Sequence, residues 1–439
     1  MNASKRMHHR RRWPWRLAGF GVALSLTAWM TGLDQSVSAA GVLGVSRLTQ
    51  FGLNNAHDQV VENRANRNFT ASWTLHGAAI MDPALINGVL YGGTVNPPYG
   101  VVAVNPVNGR TLWFHVFPNQ IMNSPIYTRG TIFVGEGNNK YYAPPVNSHP
   151  DRRGTGVNQV VALNAETGAT DWVYNTQGEN MPSFVLYGNG LYVANGADQV
   201  LDLAPTTGKV VRWLPIASYV SMSSPTVAGH TAFFGGAFPY NMYAVDLSNL
   251  KQLWSTHTPA VAGLDDCSPV ANRTDVFIGA VYYFHHQPAA MFVAFNQATG
   301  KIVWRRLLGY GTRPTHGALY ESGVPLLVHD TIYVGSSVAN AVYALNAGNG
   351  QVLWSNRLNG RPVSQAPVLA EGHLLVGDAR GTLFVLNPTD GHIVNRVQFP
   401  GSFMPGVPFV DGRTLFVSTR NGELFALPIT DLTRPSFVP

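Results

Sequence analysis

The segment 264–269, LDDCSP, places two adjacent carboxylates beside the only cysteine of the 439-residue sequence. A carboxylate can act as a general base on water and a thiolate can act as a nucleophile, so Asp265, Asp266 and Cys267 are the candidate catalytic residues. The structural alternatives are an aspartate that caps backbone amides or pairs with an arginine, and a buried, inert cysteine. In an extended segment the two aspartates point to opposite faces, so at most one would face a shared cavity.

The first residues of the sequence have the pattern of a secretory signal peptide. A basic start is followed by an apolar stretch, 17–33, and by small residues that suit cleavage after Ala39. A retained membrane anchor is the alternative. Without residues 1–39, which hold six Lys or Arg and one Asp, the net charge falls from +6 to about +1. The basic character therefore gives no support for nucleic-acid binding.

Composition narrows the other function classes. One cysteine excludes an internal disulfide, a c-type haem attachment and a multi-cysteine metal site, and the adjacent His285 and His286 are poorly spaced for a shared metal. No metal site is predicted. Charged residues make up 12% of the sequence, about half the usual share, which favours tolerance of acid. We expect an exported, periplasmic or extracellular protein with no membrane span after signal cleavage, and we take exposure to acid as a hypothesis.

The remaining chain is built from a repeated strand, tight turn and second strand, and six copies end in tryptophan. We expect each indole ring, that of Trp213 included, to be buried between neighbouring sheets. Turn glycines allow a left-handed backbone in most copies. The copies are VVAVNPVNGRTLW, VVALNAETGATDW, VLDLAPTTGKVVRW, MYAVDLSNLKQLW, MFVAFNQATGKIVW, VYALNAGNGQVLW, LFVLNPTDGHIVN and LFALPITDL.

A second element, a hairpin that often starts with Pro, alternates with the first. Four strands repeated at a spacing of about forty residues indicate an all-β, eight-bladed β-propeller with four-stranded antiparallel blades. The last copy stops before its tryptophan, and the strand around Trp73 has no partner before it, so we predict that this N-terminal strand completes the eighth blade and closes the ring. An open solenoid is the alternative. The predicted organisation is a signal peptide, 1–39, a lead segment, 40–66, and the propeller, 67–439.

The copies ALNAETGATDW and AFNQATGKIVW resemble the repeats of the pyrroloquinoline quinone (PQQ) propeller superfamily, over residues about 67–431. Among the families of this superfamily, the sequence is most similar to the tetrathionate hydrolases, secreted enzymes of acidophilic sulfur oxidisers that use no quinone. That resemblance implies hydrolysis of a small anionic polythionate, with water attack assisted by an aspartate in a loop between blades. Asp265 and Asp266 both remain candidates for this base.

Two consecutive loops between repeats are longer than the others, and they follow Trp254 and Trp304. Superposing the hairpins by their Pro shows that Cys267 replaces Asn123 or Ser223 and that Asp266 replaces Met122 or Met222. Candidate ligands of an anionic substrate occur near these loops: Arg313, His316, Tyr310 and Arg361. For Arg313 and His316 the alternative is a solvated loop. A homodimer is left open.

Two alternatives to a hydrolase follow from the same resemblance. A PQQ-dependent dehydrogenase is disfavoured because the adjacent cysteine pair of those enzymes is missing, so no cofactor is expected. A non-catalytic periplasmic scaffold, similar to the propeller lipoprotein of outer-membrane assembly, fits the length but lacks the lipid-bearing cysteine after the signal.

Overall fold

The computed structural model describes residues 70–140, 152–311, 323–363, 365–403, 406–434 and 439. The chain divides into two compact units, Met1–Gly41 and Val42–Pro439, and every described residue lies in the second. The predicted signal peptide and lead segment lie outside the described residues, so both remain predictions. In the described ranges no helix is long and apolar enough to cross a membrane.

The described chain forms eight four-stranded sheets, which we number as blades one to eight. Strand β1 is Trp73–His76. Blade one holds β2 (Ile80–Ile86), β3 (Val89–Thr94), β4 (Gly100–Val104) and β5 (Thr111–Val116). Blade two holds β6 (Ile126–Thr128), β7 (Thr131–Glu136), β8 (Gln159–Asn164) and β9 (Thr170–Asn175). Blade three holds β10 (Val185–Tyr187), β11 (Gly190–Ala194), β12 (Gln199–Leu203) and β13 (Val210–Pro215). Blade four holds β14 (Thr226–Ala228), β15 (Thr231–Gly236), β16 (Asn241–Asp246) and β17 (Lys251–His257).

The second half of the chain repeats this order. Blade five holds β18 (Val270–Ala271), β19 (Asp275–Phe284), β20 (Gln287–Asn296) and β21 (Ile302–Tyr310). Blade six holds β22 (Leu326–Val328), β23 (Thr331–Ser336), β24 (Ala341–Asn346) and β25 (Val352–Asn356). Blade seven holds β26 (Val368–Ala370), β27 (His373–Gly377), β28 (Thr382–Leu386) and β29 (Ile393–Gln398). Blade eight holds β30 (Phe409–Asp411), β31 (Thr414–Thr419) and β32 (Glu423–Pro428), followed by the short helix α1 (Ile429–Leu432).

The ring is closed by strand β1. It pairs antiparallel with β32, with Trp73 opposite Ala426, and so supplies the fourth strand of blade eight. The Ala71 amide also donates a hydrogen bond to Thr414 Oγ1 at 3.0 Å. The predicted eight-bladed propeller and its closure around Trp73 are therefore confirmed.

Burial differs between the inner and outer strands of a blade. In blade two, β8 is buried along both faces at its centre, whereas the outer strand β9 alternates between half-buried and exposed residues. Val161 and Leu163 pack in one cluster with Val101 of blade one. The core thus lies between neighbouring blades, because each sheet must bury both of its faces.

The outer-strand tryptophans join each blade to the next. Trp113 of blade one donates its indole N–H to the Ala165 carbonyl of blade two at 3.1 Å, and its ring lies over Gly168. Gly168 has φ +71°, and a Cβ there would lie 2.6 Å from the ring, so a residue other than glycine would be both strained and too large. Five other tryptophans make the same bond to the next turn: Trp73, Trp172, Trp254, Trp304 and Trp354.

Blade three departs from this pattern, and the prediction for Trp213 is wrong. Arg212 occupies the tryptophan position there, opposite Asp202, where blade two pairs Ala162 with Trp172. Arg212 donates two hydrogen bonds to the Asp202 carboxylate, at 2.8 and 2.6 Å, and one to the Ser248 carbonyl of blade four. Because this ion pair fills the space, Trp213 points outward and is 61% exposed.

Candidate active site

The segment LDDCSP lies in the loop that joins blade four to blade five. We call the connections between blades inter-blade loops and number them by the blades they join: loop 2/3 is 176–184, loop 3/4 is 216–225 and loop 4/5 is 258–269. Loops 3/4 and 4/5 are joined through their backbones, because the amides of Met222 and Ser223 both donate to the Asp265 carbonyl, at 2.8 and 2.7 Å. The three loops and the segment that follows residue 151 in blade two build the candidate site.

Serines at the ends of these loops form a relay from blade to blade. The Ser124 amide donates to Ser183 Oγ, the Ser183 amide to Ser224 Oγ, and the Ser224 amide to Ser268 Oγ, at 2.9 to 3.0 Å. At the ring closure Asp82 replaces the serine, and its carboxylate accepts from the Val407 amide at 2.8 Å. Because the three serine links are hydrogen bonds between buried groups, the relay fixes the position of the residues that precede each serine.

Cys267 has the contacts of a structural residue. It is fully buried, and its Sγ accepts a hydrogen bond from the Gly279 amide at 3.4 Å. Ser223 of loop 3/4 accepts from the Gly235 amide in the same way at 2.8 Å. Burial raises the pKa of the Cys267 thiol to about 12, so little thiolate forms near neutral pH. These contacts favour a structural role over the predicted nucleophile.

The two aspartates have different surroundings, although residues 264–266 form a turn and not an extended segment. The Asp265 side chain is buried, and 4% of the residue is exposed. The Asp266 side chain is 22% exposed, and its Oδ1 lies 3.8 Å from Nη1 of Arg153. Asp266 is therefore the carboxylate of this pair that water or a substrate can reach.

Arg153 is the centre of the site, although it belongs to blade two. Its backbone is bound to blade three, because its amide donates to the Gly196 carbonyl and its carbonyl accepts from the Glu179 amide, both at 2.8 Å. A Cβ on Gly196 would lie 2.4 Å from the Arg153 carbonyl oxygen, so glycine permits this close approach. The guanidinium lies 3.0 Å from Glu179 Oε1 through Nε and donates from Nη1 to Ser221 Oγ. One side chain thus links the insertion in blade two with loops 2/3, 3/4 and 4/5.

Among the described residues, the carboxyl groups of Glu179, Asp265 and Asp266 lie around the Arg153 guanidinium. Glu179 is fully buried, and burial raises its pKa to about 8, although Arg153 opposes the shift and Asp266 and Asp265 add to it. Burial, followed by repulsion from Asp266, also raises the pKa of Asp265 well above its usual value, again against the effect of Arg153. Glu179 is therefore predominantly uncharged at neutral and acid pH, and Asp265 favours its neutral form more than an exposed aspartate does.

Amide side chains next to Glu179 form their own hydrogen-bonded group. Asn180 Nδ2 donates to Thr176 Oγ1 at 2.7 Å and to the Glu136 carbonyl at 3.2 Å, and Asn195 Nδ2 donates to Asn180 Oδ1 at 3.4 Å. The Glu136 side chain is buried on neighbouring β7, and burial raises its pKa to about 7. The walls of the site are polar and hold acids that favour their neutral form.

The structure brings together only part of the predicted substrate-binding set. Arg313 and His316 lie outside the described residues. Tyr310 ends the outer strand β21, opposite Ala289, and Arg361 lies in loop 6/7 (357–367), where its amide donates to Asn359 Oδ1 at 3.2 Å. No contact among the described residues joins Tyr310 or Arg361 to the site around Arg153.

Sequence reasoning missed Arg153 and Glu179. Arg153 lies on the long segment between β7 and β8, and no other blade has an insertion at this position with which to compare it. Glu179 could have been found, because it has the register of Val220 and Leu264 in the next two loops, and an acid in place of a buried aliphatic residue is unusual. The described residues hold no group of three or more His, Cys, Asp or Glu that could bind a metal ion.

Comparison with known families gives one match that covers most of the chain. The family model described as outer membrane protein assembly factor BamB matches residues 70–287, 268–364 and 338–434.

Similar sequences include proteins of two kinds. The tetrathionate hydrolase of Acidithiobacillus ferrooxidans is 26% identical over 375 residues, which cover 81% of this chain and 74% of that protein. The tetrathionate hydrolase of Acidianus ambivalens is 25% identical and covers 79% and 70%. The outer membrane protein assembly factor BamB of Escherichia coli is 24% identical and covers 88% and 97%.

Solved structures agree on the fold. BamB from Moraxella catarrhalis superposes with a TM-score of 0.61 at 18% identity, covering 82% of this chain and 99% of that one. A europium-containing methanol dehydrogenase superposes with a TM-score of 0.60 at 12% identity, covering 84% and 89%. At such identities the likeness shows the fold alone.

Proposed function

Since the chain belongs to the PQQ-type repeat family described as outer membrane protein assembly factor BamB, and two of its relatives are tetrathionate hydrolases, we propose that it is an exported hydrolase of polythionates. One observation carries the proposal: a partly exposed carboxylate, Asp266, lies 3.8 Å from the guanidinium of Arg153, in a loop position that holds Met222 in the neighbouring copy. The repeat does not require an acid there.

The proposed base is Asp266. Its carboxylate takes a proton from water as the water oxygen bonds to a sulfur of tetrathionate; a sulfur–sulfur bond breaks, and the leaving sulfur keeps the electron pair. One tetrathionate and one water then give sulfate, thiosulfate, elemental sulfur and two protons, which balances atoms and charge. Asp265, which is buried and favours its neutral form, fits the role of a neighbour that keeps negative charge low.

A substrate with two negative charges needs compensating positive charge. Arg153 supplies one guanidinium beside Asp266, and Arg313 and His316 remain the proposed ligands of the sulfonate ends. The described site does not suit a quinone cofactor with several carboxylates, because three protein carboxylates already face its one guanidinium. We therefore propose a reaction without an organic cofactor, in the periplasm or outside the cell.

A scaffold without catalytic activity is the second candidate. The match to BamB of Escherichia coli covers 97% of that protein and 88% of this chain, so nearly the whole propeller is shared. A scaffold has no need of the charged site, which is why the hydrolase is preferred.

The test is an assay of purified protein with tetrathionate from pH 3 to pH 8, with thiosulfate and sulfate measured as products. We expect turnover, and a loss of about 10²- to 10⁴-fold in Asp266→Asn. The matched control is Met222→Leu, at the same register in loop 3/4, which should keep activity within about twofold. Full activity in Asp266→Asn would reject the base, and absence of turnover in the wild type at every pH would reject the hydrolase in favour of the scaffold.

A further inference from the structure

Three methionines from different parts of the ring meet at its centre. Met122, in loop 1/2 (117–125), and Met222, in loop 3/4, both pack against Ala79 and Met81 around the start of β2. Loop 3/4 and blade one are not neighbours in the ring, since blade two lies between them, so their side chains can touch only across the central axis of the propeller. We call Met81, Met122 and Met222 the axial cluster.

Exposure separates the members of the axial cluster. Met81 is buried, with 4% of the residue exposed, whereas Met122 and Met222 are half-buried. The other methionines in the described part of the chain are buried: Met181, Met242 and Met291. Among the described methionines, solvent therefore reaches Met122 and Met222 most readily.

The one thiol of the sequence is protected from oxidants. Cys267 is fully buried, and burial raises its pKa to about 12, so it forms little of the thiolate that reacts with an oxidant. A thioether has no proton to lose, so its reaction with an oxidant requires access alone. Within the described ranges, the accessible sulfur atoms are thus those of two thioethers on the ring axis.

We propose that Met122 and Met222 are modification sites, at which an oxidant of the peroxide class converts the thioether to a sulfoxide and weakens the contact across the axis. With hydrogen peroxide, the sulfur attacks one oxygen, and a sulfur–oxygen bond forms as the oxygen–oxygen bond breaks. The sulfur loses two electrons, the peroxide gains them, and the second oxygen takes the proton of the transferred hydroxyl and leaves as water. Methionine sulfoxide reductases reverse this oxidation. The inference does not depend on the proposed hydrolysis.

A sulfoxide fits the axial cluster poorly. Its sulfur–oxygen group is polar, whereas the side chains of Ala79 and Met81 against which it would pack are apolar. The backbone of Met222 is also bound to loop 4/5, because its amide donates to the Asp265 carbonyl at 2.8 Å. Oxidation should therefore loosen the contact across the axis and, through loop 3/4, the loop that carries Asp266.

The first experiment exposes the purified wild type to hydrogen peroxide at pH 5 and follows each methionine by peptide mass spectrometry. We expect Met122 and Met222 to gain one oxygen about tenfold or more faster than the buried Met242. Cys267 should stay unmodified. This measurement does not depend on the folding of a variant. Equal rates at the half-buried and buried methionines, or oxidation of Cys267 first, would overturn the inference.

Leucine variants test the consequence of oxidation. Leucine is close to methionine in size and cannot form a sulfoxide, so the double variant Met122→Leu/Met222→Leu should keep the fold. Peroxide treatment should lower the Tm of the wild type by about 2–4 °C and that of the double variant by less than about 1 °C. Met242→Leu, which replaces a fully buried methionine of blade four, is the matched control and should lose as much Tm as the wild type.

Two results of this second experiment would contradict the inference. An unchanged Tm in the oxidised wild type would show that a sulfoxide does not weaken the contact across the axis. A double variant that loses as much Tm as the wild type would show that oxidation at other residues causes the loss of stability.

Discussion

Loops 3/4 and 4/5 have the same backbone register but different side chains. Loop 3/4 ends in VSMSSP and loop 4/5 in LDDCSP, and the Ser224 amide donates to Ser268 Oγ at the same position of each copy. Ser223 and Cys267 make the same bond to a glycine of the following hairpin. The thiol is thus a variant of a structural position, whereas Asp265 and Asp266 replace neutral residues with carboxyl groups that the repeat does not need.

The two loops also give Arg153 different partners at neighbouring positions of the same register. In loop 3/4 the equivalent of Asp265 is Ser221, whose hydroxyl accepts a hydrogen bond from Arg153. The neutral loop therefore provides a hydrogen-bond acceptor, and the acidic loop provides the ion pair with Asp266. Arg153 makes both contacts, so it has a neutral hydroxyl on the side of loop 3/4 and a carboxylate on the side of loop 4/5.

The largest effect is expected from making loop 4/5 identical to loop 3/4. Replacing Asp265, Asp266 and Cys267 by Ser, Met and Ser should leave the fold intact, because loop 3/4 already folds with these residues in the same register. Tetrathionate turnover should fall by about 10²- to 10⁴-fold. Product assays and circular dichroism measure the two quantities; a folded variant with wild-type turnover would show that the acids are not catalytic.

Removing Arg153 should cost stability in a manner that depends on pH. We expect Arg153→Ala to lower the free energy of unfolding by about 3–5 kcal/mol at pH 9, where it leaves a buried charge unpaired. The cost should be smaller at pH 5, where Glu179 is neutral. Urea titrations at both pH values measure it. Arg212→Ala, which breaks the ion pair with Asp202 in blade three, is the control. The idea of a neutral Glu179 would be contradicted by a cost for Arg153→Ala that is greater at pH 5.

Buried acids with raised pKa values also predict how the stability of the wild type depends on pH. The folded-state pKa is raised to about 8 for Glu179 and to about 7 for Asp82 and Glu136, so the folded state holds protons that the unfolded chain has lost. Stability is then greatest below about pH 4 to 5 and is lost as the pH rises toward 8, by up to about 1.4 kcal/mol per pH unit for each group. Unfolding in urea at pH 5, 6.5 and 8 measures this slope, and stability that increases over this range would refute it.

The smallest effect is expected at the thiol. Cys267→Ser copies Ser223, which accepts the same amide hydrogen bond, so we expect a change below about 1 kcal/mol in unfolding and activity within about twofold. Cys267→Ala removes the acceptor and should cost about 1–3 kcal/mol. A folded Cys267→Ser protein that loses more than about tenfold in turnover would instead make the thiol part of the chemistry.

The sequence predicts the propeller well because its eight repeats can be aligned with one another. Turn glycines and tryptophans recur at a fixed spacing, and the incomplete last copy indicates closure by the strand around Trp73. The prediction fails at Trp213, since the motif keeps its tryptophan while shifting it by one residue. Counting from Gly208 would have placed Arg212 opposite Asp202, an ion pair that takes the place of an alanine and an indole.

The candidate site was only partly predictable for the opposite reason. Aligning the copies places Asp265, Asp266 and Cys267 at their correct register, because each has an equivalent residue in the other copies. Arg153 has no equivalent in the other copies, because it lies on an insertion found in one blade. Its backbone can pack against blade three because Gly196 has no side chain to contact the Arg153 carbonyl. Contacts made by such an insertion are tertiary, and no periodic pattern in the sequence encodes them.

Closure of the ring by β1 also sets the order in which the protein can mature. Blades one to seven are each built from consecutive strands, so they can assemble as the chain emerges, whereas the last blade joins groups as much as 343 residues apart. Contacts of such long range make the final step slow. Until β32 arrives, the strand at Trp73 and the face it later covers stay open to pairing with other chains. Before this last pairing step, the chain is therefore most exposed to aggregation through its open strand edges.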